Sequence, residues 1–258
     1  MSKDILAFSC AHATPSVSNE RFDWLGKFIA DVKPDIVIDL GDGADMVSLN
    51  SFDKRPKDIV MQNYGDDINH YNEAQDRLRR PYKKLKRKKL HWVGFEGNHE
   101  NRIKKAIAEN PRNEDRTRQG YGISFGHLQT DYWFDEYHEY RNSAPTIANY
   151  CGVDFAHYFS VNNHGKATSG IHHAYTVINS RFKSSVCGHS HKRNLYFKDG
   201  ANSIGLVVGC YKGHEESWAG QANLEWWNGV VLMKGVDNGM FEPMFVSIDM
   251  LEKEYGND

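Results

Sequence analysis

The segment PDIVIDLGDGAD, residues 34–45, decides the fold. Its apolar run, residues 36–40, is typical of a buried strand, and it ends in a polar loop that contains two glycines. Upstream, residues 19–32 carry apolar side chains at helical spacing, and residues 5–8 form another apolar run that ends in a loop. This strand–helix–strand order predicts two parallel strands joined by a right-handed crossover.

The rest of the chain extends this pattern. We predict a helix from about 68 to 89, a third strand over 90–95, a helix starting near Arg102, and helices and loops up to residue 150 that could form a lid. Short apolar runs then predict strands at 153–156, 159–161, 185–187, 204–208 and 229–233. We therefore expect an α/β fold with two stacked mixed β-sheets, a β-sandwich flanked by α-helices. Residues 1–258 would form one domain, with insertions at about 46–89 and 101–150.

Composition restricts the class of protein. The 258 residues are 40% hydrophobic and 26% charged, which is typical of a soluble globular chain with its own core. A net charge of -2 provides no global attraction to nucleic acid or membranes, so such a partner would need a local patch. The four cysteines form no CxxC pair, and no apolar run approaches the ~20 residues that cross a bilayer. We expect a cytoplasmic protein without a membrane partner.

Four predicted strand ends lead into loops with metal-ligand side chains. These loops are Cys10–His12, Gly41–Asp45, Gly97–Glu100 and Gly188–His191. The carboxyl ends of parallel strands share one edge of a sheet, so these loops are expected to converge. The glycines at 41, 97 and 188 suit sharp turns, because glycine tolerates positive φ and close backbone approach. The pattern favours a metal centre built from histidine, carboxylate and amide ligands.

Four motifs resemble those of the calcineurin-like metallophosphoesterase family, including its phage-encoded and bacterial members. In chain order they are an x-x-H sequence after the first strand, GD-x-x-D, GNHE and GH-x-H. The motifs cover residues 8 to 193. The resemblance implies a β-sandwich flanked by helices and a dinuclear metal centre. It also implies hydrolysis of phosphomonoesters or phosphodiesters by a hydroxide that bridges the two metals. For a phage-encoded member, the location would be the host cytoplasm.

The resemblance also implies roles for individual residues. One metal would be held by Cys10, His12 and His191, and Asp42 would bridge both metals. Asn98, His189 and one further histidine would hold the second metal. His99 would be a catalytic histidine that is not a ligand and that stabilises the transition state or protonates the leaving oxygen. Asp45 and Glu100 would orient ligands or His99.

The further histidine has three candidates: His164, His172 and His173. We favour His164, because Gly165 follows it and because it comes after the predicted strand at 159–161. A His-Gly pair also resembles the phage-encoded and bacterial members. In contrast, residues 171–175 are expected to open a helix, from which His173 could face the substrate. Arg102 is placed to meet a phosphate, with a helix-surface role as the alternative.

Cys10 departs from the family pattern, in which the first ligand is an aspartate. A metal deprotonates a coordinating thiol, and sulfur favours zinc or iron over magnesium. We therefore expect two divalent or trivalent transition-metal ions, drawn from manganese, zinc and iron. The alternative is a neutral Cys10 beside a weak or empty metal site, since free cysteine is often a small buried apolar residue.

The leading functional prediction is a metal-dependent phosphoric ester hydrolase. A phosphodiester substrate, such as nucleic acid or a nucleotide, is slightly favoured over a monoester. The alternatives are a phosphomonoesterase or protein phosphatase, a mononuclear zinc hydrolase, and a metal-binding scaffold that lacks catalysis. The presence of Asp42 and His99 favours catalysis. A run from Arg77 to Lys89 with nine basic residues is either a solvated helix face or a nucleic-acid patch.

Overall fold

A computed structural model describes residues 2–50, 63–83, 90–115, 122–161, 165–216 and 219–256. The α-helices within these ranges are α1 (Glu20–Val32), α2 (Tyr64–Lys83), α3 (Asn101–Glu109), α4 (Thr130–Trp133), α5 (His173–Arg181) and α6 (Ile248–Tyr255). The strands are β1 (Lys3–Phe8), β2 (Ile36–Asp39), β3 (His91–Phe95), β4 (Glu136–His138), β5 (Ala148–Tyr150), β6 (Val153–Phe155), β7 (Ser185–Cys187), β8 (Arg193–Lys198), β9 (Ser203–Val208), β10 (Gly229–Asp237) and β11 (Met240–Ser247).

The strands form two mixed sheets. The first has the order β11-β10-β1-β2-β3-β4, in which β1 to β4 are parallel and β10 and β11 are antiparallel. The second has the order β5-β6-β7-β9-β8, with parallel pairs between β6, β7 and β9 and antiparallel edge strands. The predicted fold class, two mixed sheets with flanking helices, is confirmed. The predicted parallel pairing of the first two strands is also confirmed.

Successive side chains of β1 point alternately into two different layers of the hydrophobic core. Ile5 and Ala7 belong to the apolar cluster that joins the two sheets, together with Phe155 and Leu206 of the second sheet. Leu6, by contrast, packs with the helices α1, α2 and α6 on the outer face of the first sheet. Because successive side chains of a strand point to opposite faces, a shift of one residue would exchange these two sets. The pairing register is therefore strongly specified, and with it the positions of the loops that follow each strand.

Several elements differ from the sequence predictions. Residues 159–161 form a loop and not a strand: the Phe159 ring packs behind the second sheet, while its carbonyl accepts hydrogen bonds from Thr168. The segment 101–150 contains β4 and β5, which extend the two sheets, so it is not made of helices and loops alone. Strands β8 and β11 were not predicted either. All four missed strands lie at sheet edges, where polar and exposed residues weaken the apolar pattern.

Helix α2 accounts for part of the basic run. It begins at Tyr64 instead of residue 68, and residues 84–89 lie outside the described residues. Arg77 pairs with Asp23 and Glu73, and Arg79 lies buried against Trp92. These contacts support a structural role for the described part of the run. None of the described helices combines the length and the apolarity needed to span a membrane.

Candidate metal centre

Three predicted ligands of one metal come together at the carboxyl edge of the first sheet. Cys10 and His12 follow β1, and His191 follows β7 of the second sheet. One potential donor atom from each lies within 4.8 Å of the others, and all three residues are buried. The two Nε2 atoms of His12 and His191 are 3.2 Å apart. Side chains that are 179 positions apart in the chain therefore present their donor atoms to one point.

A second group forms around Asp42. The Nε2 atom of His157 lies 3.3 Å from Asp42 Oδ2, 3.0 Å from Asn98 Oδ1 and 3.2 Å from His189 Nδ1. The predicted ligands Asp42, Asn98 and His189 are thus gathered around one histidine. Asp42 also belongs to a potential ligand cluster with Cys10, so it lies between the two groups, where a bridging ligand is needed.

These separations fit metal coordination. Ligand atoms that lie 2.0–2.1 Å from one tetrahedral ion are roughly 3.3 Å from each other, the edge of the tetrahedron. The distance between His12 and His191 and the three distances to His157 Nε2 range from 3.0 to 3.3 Å. Without a metal, two imidazole nitrogens can approach this closely only if one carries a hydrogen and donates a hydrogen bond to the other. Sulfur, nitrogen and oxygen donors together are typical ligands of transition metals.

His157 is the residue that the sequence analysis missed. It lies two residues after the end of β6, at the end of a buried strand like the other candidate ligands. Its Nδ1–H donates to the carbonyl of Leu40 at 2.7 Å, which turns the lone pair of Nε2 towards the ligand group. The favoured candidate, His164, lies outside the described residues. His172 is exposed, and it precedes α5.

A metal count can distinguish His157 from His164. We expect His157→Ala to weaken binding of one ion by at least roughly 10–100-fold, the scale found for residues that support metal ligands. His164→Ala should retain both ions if His157 is the ligand. The measurement is mass spectrometry of the native protein with zinc or manganese, together with a thermal unfolding curve for each variant. Loss of an ion from His164→Ala alone would instead favour the sequence prediction.

Backbone conformation supplies separate evidence for this site. Five of the candidate ligands adopt positive φ values although none is glycine: Cys10 (52°), His12 (44°), Asp42 (56°), His189 (66°) and His191 (60°). For such residues the left-handed region costs of order 1–3 kcal/mol each and is concentrated at functional sites. The side chains at these positions are therefore aimed at the centre against the local preference of the backbone.

Two glycines permit this arrangement. Gly41 has a φ of 94°, and a Cβ atom there would lie 2.6 Å from the backbone nitrogen of Gly97. A Cβ atom on Gly97 would lie 2.2 Å from Asp42 Oδ1. The loops after β2 and β3 can pack this closely only because neither position carries a side chain. The predicted need for glycine at both positions is confirmed.

Three of the four candidate ligand histidines are held in the neutral form that binds metals. For His157, the effect of burial is outweighed by the Asp42 carboxylate, which raises the pKa. Burial and the neighbouring charge of His99 lower the pKa of His12 to about 4. Burial also lowers the pKa of His189 to about 3 and depresses that of His191. Neutral imidazole is the metal ligand, so little deprotonation would be needed at neutral pH. The His12 Nδ1 atom lies 3.0 Å from Asp45 Oδ1, which leaves Nε2 to face the ligand group.

The surroundings of Cys10 and Asp42 shift the pKa values of these two residues in opposite directions. Burial and the Asp42 carboxylate raise the pKa of the Cys10 thiol well above its usual range, so the thiolate requires a cation beside it. Burial opposes ionisation of Asp42 as well, but His157 and His99 hold its pKa well below the usual range. Asp42 is thus an ionised carboxylate next to a buried thiol, and a metal ion would stabilise both as anions.

Glu100 ties two of the ligand loops together. Its carboxylate accepts hydrogen bonds from the backbone N–H groups of Asp42, Ala44 and Gly97 at 2.9–3.0 Å. Burial and the Asp42 charge raise the pKa of Glu100 to about 7. These contacts fix the loops after β2 and β3 to each other, and the role of Glu100 in orienting ligands stays a prediction.

Asp45, His99 and Arg102 form a second network beside the ligand groups. The Nδ1 atom of His99 lies 2.9 Å from Asp45 Oδ1, and its Nε2 atom lies 3.2 Å from a guanidinium nitrogen of Arg102. Arg102 in turn donates to the carbonyl of Asp45 at 2.8 Å. The backbone N–H of His99 donates to Asp42 Oδ1 at 2.9 Å, which couples this network to the candidate bridging carboxylate.

A cavity of about 560 Å³ is lined by residues of both ligand groups and of this network. His99 and Arg102 belong to its wall, together with Lys212 and Trp226. The predicted substrate contact of His173 needs correction, because this residue is fully buried and is not part of the lining. Its Nδ1 atom instead lies 3.0 Å from the hydroxyl of Ser190, which does line the cavity. His173 therefore supports the loop after β7 from behind.

No protein-family model matches the chain, and no curated protein matches it. Among solved structures, a similar chain is a conserved uncharacterized protein of Streptococcus pneumoniae TIGR4, described as a predicted phosphoesterase. The two share 10% sequence identity with a TM-score of 0.38, over 96% of this chain and 91% of that chain. So distant a likeness does not reveal what this chain does.

Proposed function

We propose that this protein is a metal-dependent phosphoesterase with a dinuclear centre. The first metal would be bound by Cys10, His12 and His191. The second would be bound by Asn98, His157 and His189, and Asp42 would bridge the two. The observation that carries the proposal is the convergence of these seven side chains from five loops. The His12 and His191 nitrogens are 3.2 Å apart, three donor atoms lie 3.0–3.3 Å from His157 Nε2, and Cys10 lies within 4.8 Å of His12 and His191.

The chemistry of the residues supports hydrolysis of an anionic ester. Two bound ions would polarise the phosphate oxygens and lower the pKa of water towards neutrality. His99 lines the cavity, and its Nε2 atom would act there once Arg102, which now lies 3.2 Å from it, binds the substrate phosphate instead. Burial alone would lower the pKa of His99, but the Asp42 and Asp45 carboxylates outweigh this effect and raise it. His99 is therefore suited to protonate a leaving oxygen, and Arg102 is suited to bind a phosphate oxygen.

The arrangement favours an enzyme over a binding scaffold. A scaffold that only binds metal would not need the arrangement of His99. One of its ring nitrogens lies within 4.8 Å of donor atoms of His12 and Asp42, but both nitrogens already have partners, Asp45 and Arg102. A mononuclear hydrolase would need only one of the two donor groups. We propose a phosphodiester of a nucleic acid or nucleotide as substrate, since a phosphate group alone would fill a small part of a 560 Å³ cavity. A phosphomonoester is the alternative, and a direct assay ranks the two.

The test is hydrolysis by protein stripped of metal with a chelator. Bis(p-nitrophenyl) phosphate and p-nitrophenyl phosphate are assayed with added manganese, zinc, iron or magnesium. We expect turnover with one of the first three metals, faster on the diester, and two ions per chain by mass spectrometry. Folded, metal-loaded protein that hydrolyses neither ester nor a dinucleotide would contradict the proposal. A single bound ion in active protein would favour the mononuclear alternative.

Ligation by Cys10 has its own test. Cys10→Asp should keep the metal site but shift its preference from zinc towards manganese, because a carboxylate is a harder ligand than a thiolate. The Sγ atom lies 3.1 Å from the Ser9 hydroxyl oxygen and accepts a hydrogen bond from the His189 backbone N–H. A carboxylate oxygen can accept a hydrogen bond from both groups. Competition titrations give the zinc-to-manganese affinity ratio for both proteins. A ratio that changes by less than about threefold would argue against a thiolate ligand.

A further inference from the structure

Lys212 is a buried cation in the wall of the candidate active site. Only 2% of the residue is exposed, although lysine is almost never buried this deeply unless it is paired. Its ammonium is paired with the carboxylate of Glu216 and lies 5.0 Å from the centre of the Trp226 ring. Its backbone N–H donates to the Asn228 side chain, which anchors the loop after β9. The charge is therefore held in place at the cavity.

The position of Lys212 differs from that of Arg102. Arg102 contacts His99 and the backbone after Asp45, whereas Lys212 is beside Trp226. The Trp226 ring packs edge-on against the ring of His191, with 4.5 Å between their centres. The two cations thus approach the cavity from the His99 side and from the His191 side. The Lys212 ammonium is one indole ring away from a candidate metal ligand.

Charge balance offers a structural explanation for Lys212. Donor atoms of Asp45, His214 and Glu216 lie within 4.8 Å of one another, so the two carboxylates are close together. Burial would raise the pKa of Glu216, but His214 and Lys212 lower it to about 2. A lysine that served this purpose alone would need no contact with the cavity. An ammonium has three N–H donors, and pairing with Glu216 requires only one of them.

We propose that Lys212 forms a subsite for a second phosphate group of the substrate, next to the phosphate held at the metal centre. This inference rests on the proposed phosphoesterase function, and it narrows the substrate to esters with neighbouring phosphates, such as oligonucleotides. Arg102 binds the phosphate that reacts, and Lys212 binds the adjacent phosphate. The metal-bound phosphate needs no contact with Lys212.

The test compares three substrates: a thymidine dinucleotide with a 5′-phosphate, the same dinucleotide without it, and bis(p-nitrophenyl) phosphate. Wild-type protein should have the lowest KM for the phosphorylated dinucleotide. Lys212→Met should raise that KM roughly 10–100-fold, as expected for loss of a hydrogen bond to a charged group. The loss on the other two substrates, which lack the second phosphate, should be at least about tenfold smaller.

Control variants separate binding from structure. Lys212→Arg keeps the charge and should retain most of the preference. Lys192→Met removes another lysine that pairs with a carboxylate, in this case that of Glu225. Lys192 does not line the cavity, so this variant should behave as wild type. Metal content and thermal unfolding are measured for each variant. An equal loss on all three substrates, or no loss on any, would overturn the subsite.

Calorimetric titration of the two dinucleotides keeps this test independent of turnover. If the metal-loaded protein hydrolyses none of the substrates, the proposed function fails, but the affinities can still be compared directly. Tighter binding of the phosphorylated dinucleotide that Lys212→Met removes would support the subsite. Equal affinity for the two dinucleotides in wild-type protein would contradict it.

Discussion

Asp42→Asn should reduce hydrolysis by roughly 10³-fold or more, the scale of losing an interaction that stabilises a transition state directly. The carboxylate lies between the two donor groups and is 2% exposed, so solvent cannot replace its charge. An amide has nearly the same shape but only one oxygen and no negative charge. We therefore expect the variant to fold and to bind fewer than two ions. The measurements are kcat, metal content and thermal unfolding.

Asp39→Asn is the matched control. Asp39 is also buried, at the end of β2, and its Oδ1 accepts a hydrogen bond from the Gly41 N–H at 3.0 Å. Burial raises the pKa of Asp39 to about 6, in contrast to the lowered pKa of Asp42. An asparagine oxygen can accept the same bond without the desolvated charge, so activity should stay within a few-fold of wild type. Full activity with two ions in Asp42→Asn would remove Asp42 from the centre.

The pattern of buried strands explains why much of the fold was predictable. The inner strands β1, β2, β3, β7 and β9 are apolar on both faces because helices or a second sheet cover each side. Such runs are visible in a sequence. Edge strands are not, because one side meets solvent: β8 reads Arg193–Lys198 with mostly half-exposed residues. Their pairing depends on neighbours that a local pattern does not contain.

The residues of the candidate site also fall into those that the sequence predicts and those that it does not. Its loops could be found because each follows a strong strand and carries several ligand types in a short motif, as in Gly97–Glu100. His157 was missed because it stands alone after a three-residue strand, with no neighbouring ligand to mark it. Lys212, Glu216 and Trp226 come from an irregular stretch between β9 and β10. Only the tertiary arrangement brings that stretch to the cavity.

The conformations of the ligands could not be derived from sequence either. Histidine at 12 or 191 gives no local sign that its φ is positive, since the left-handed region disfavours side chains with a Cβ atom. The surrounding structure enforces it. The backbone N–H groups of Cys10 and His12 donate to the carbonyls of Gly41 and Asp42 at 2.9 Å, which fixes the loop after β1 against the loop after β2. Strain at the centre is thus supported by hydrogen bonds between the loops.

His99→Ala should lower kcat by roughly 10²–10⁴-fold, the range for removal of a general acid or base, while both ions stay bound. The ring is near donor atoms of His12 and Asp42, but Asp45 and Arg102 engage its two nitrogens and hold it at the cavity. His127→Ala is the matched control, because His127 also pairs with a buried carboxylate, Asp115, but does not line the cavity. Loss of metal from His99→Ala would show that this histidine is a ligand.

The leaving group distinguishes the two roles that His99 could have. If Nε2 gives a proton to the leaving oxygen, its loss should matter little for p-nitrophenolate, which departs readily as an anion, and greatly for the alkoxide of a nucleoside. If the imidazole instead stabilises charge on the phosphate oxygens, the loss should be similar for both. Since Asp45 and Asp42 raise the pKa of His99, we expect the first pattern. The defect of His99→Ala should therefore be at least about tenfold larger on a dinucleotide than on bis(p-nitrophenyl) phosphate.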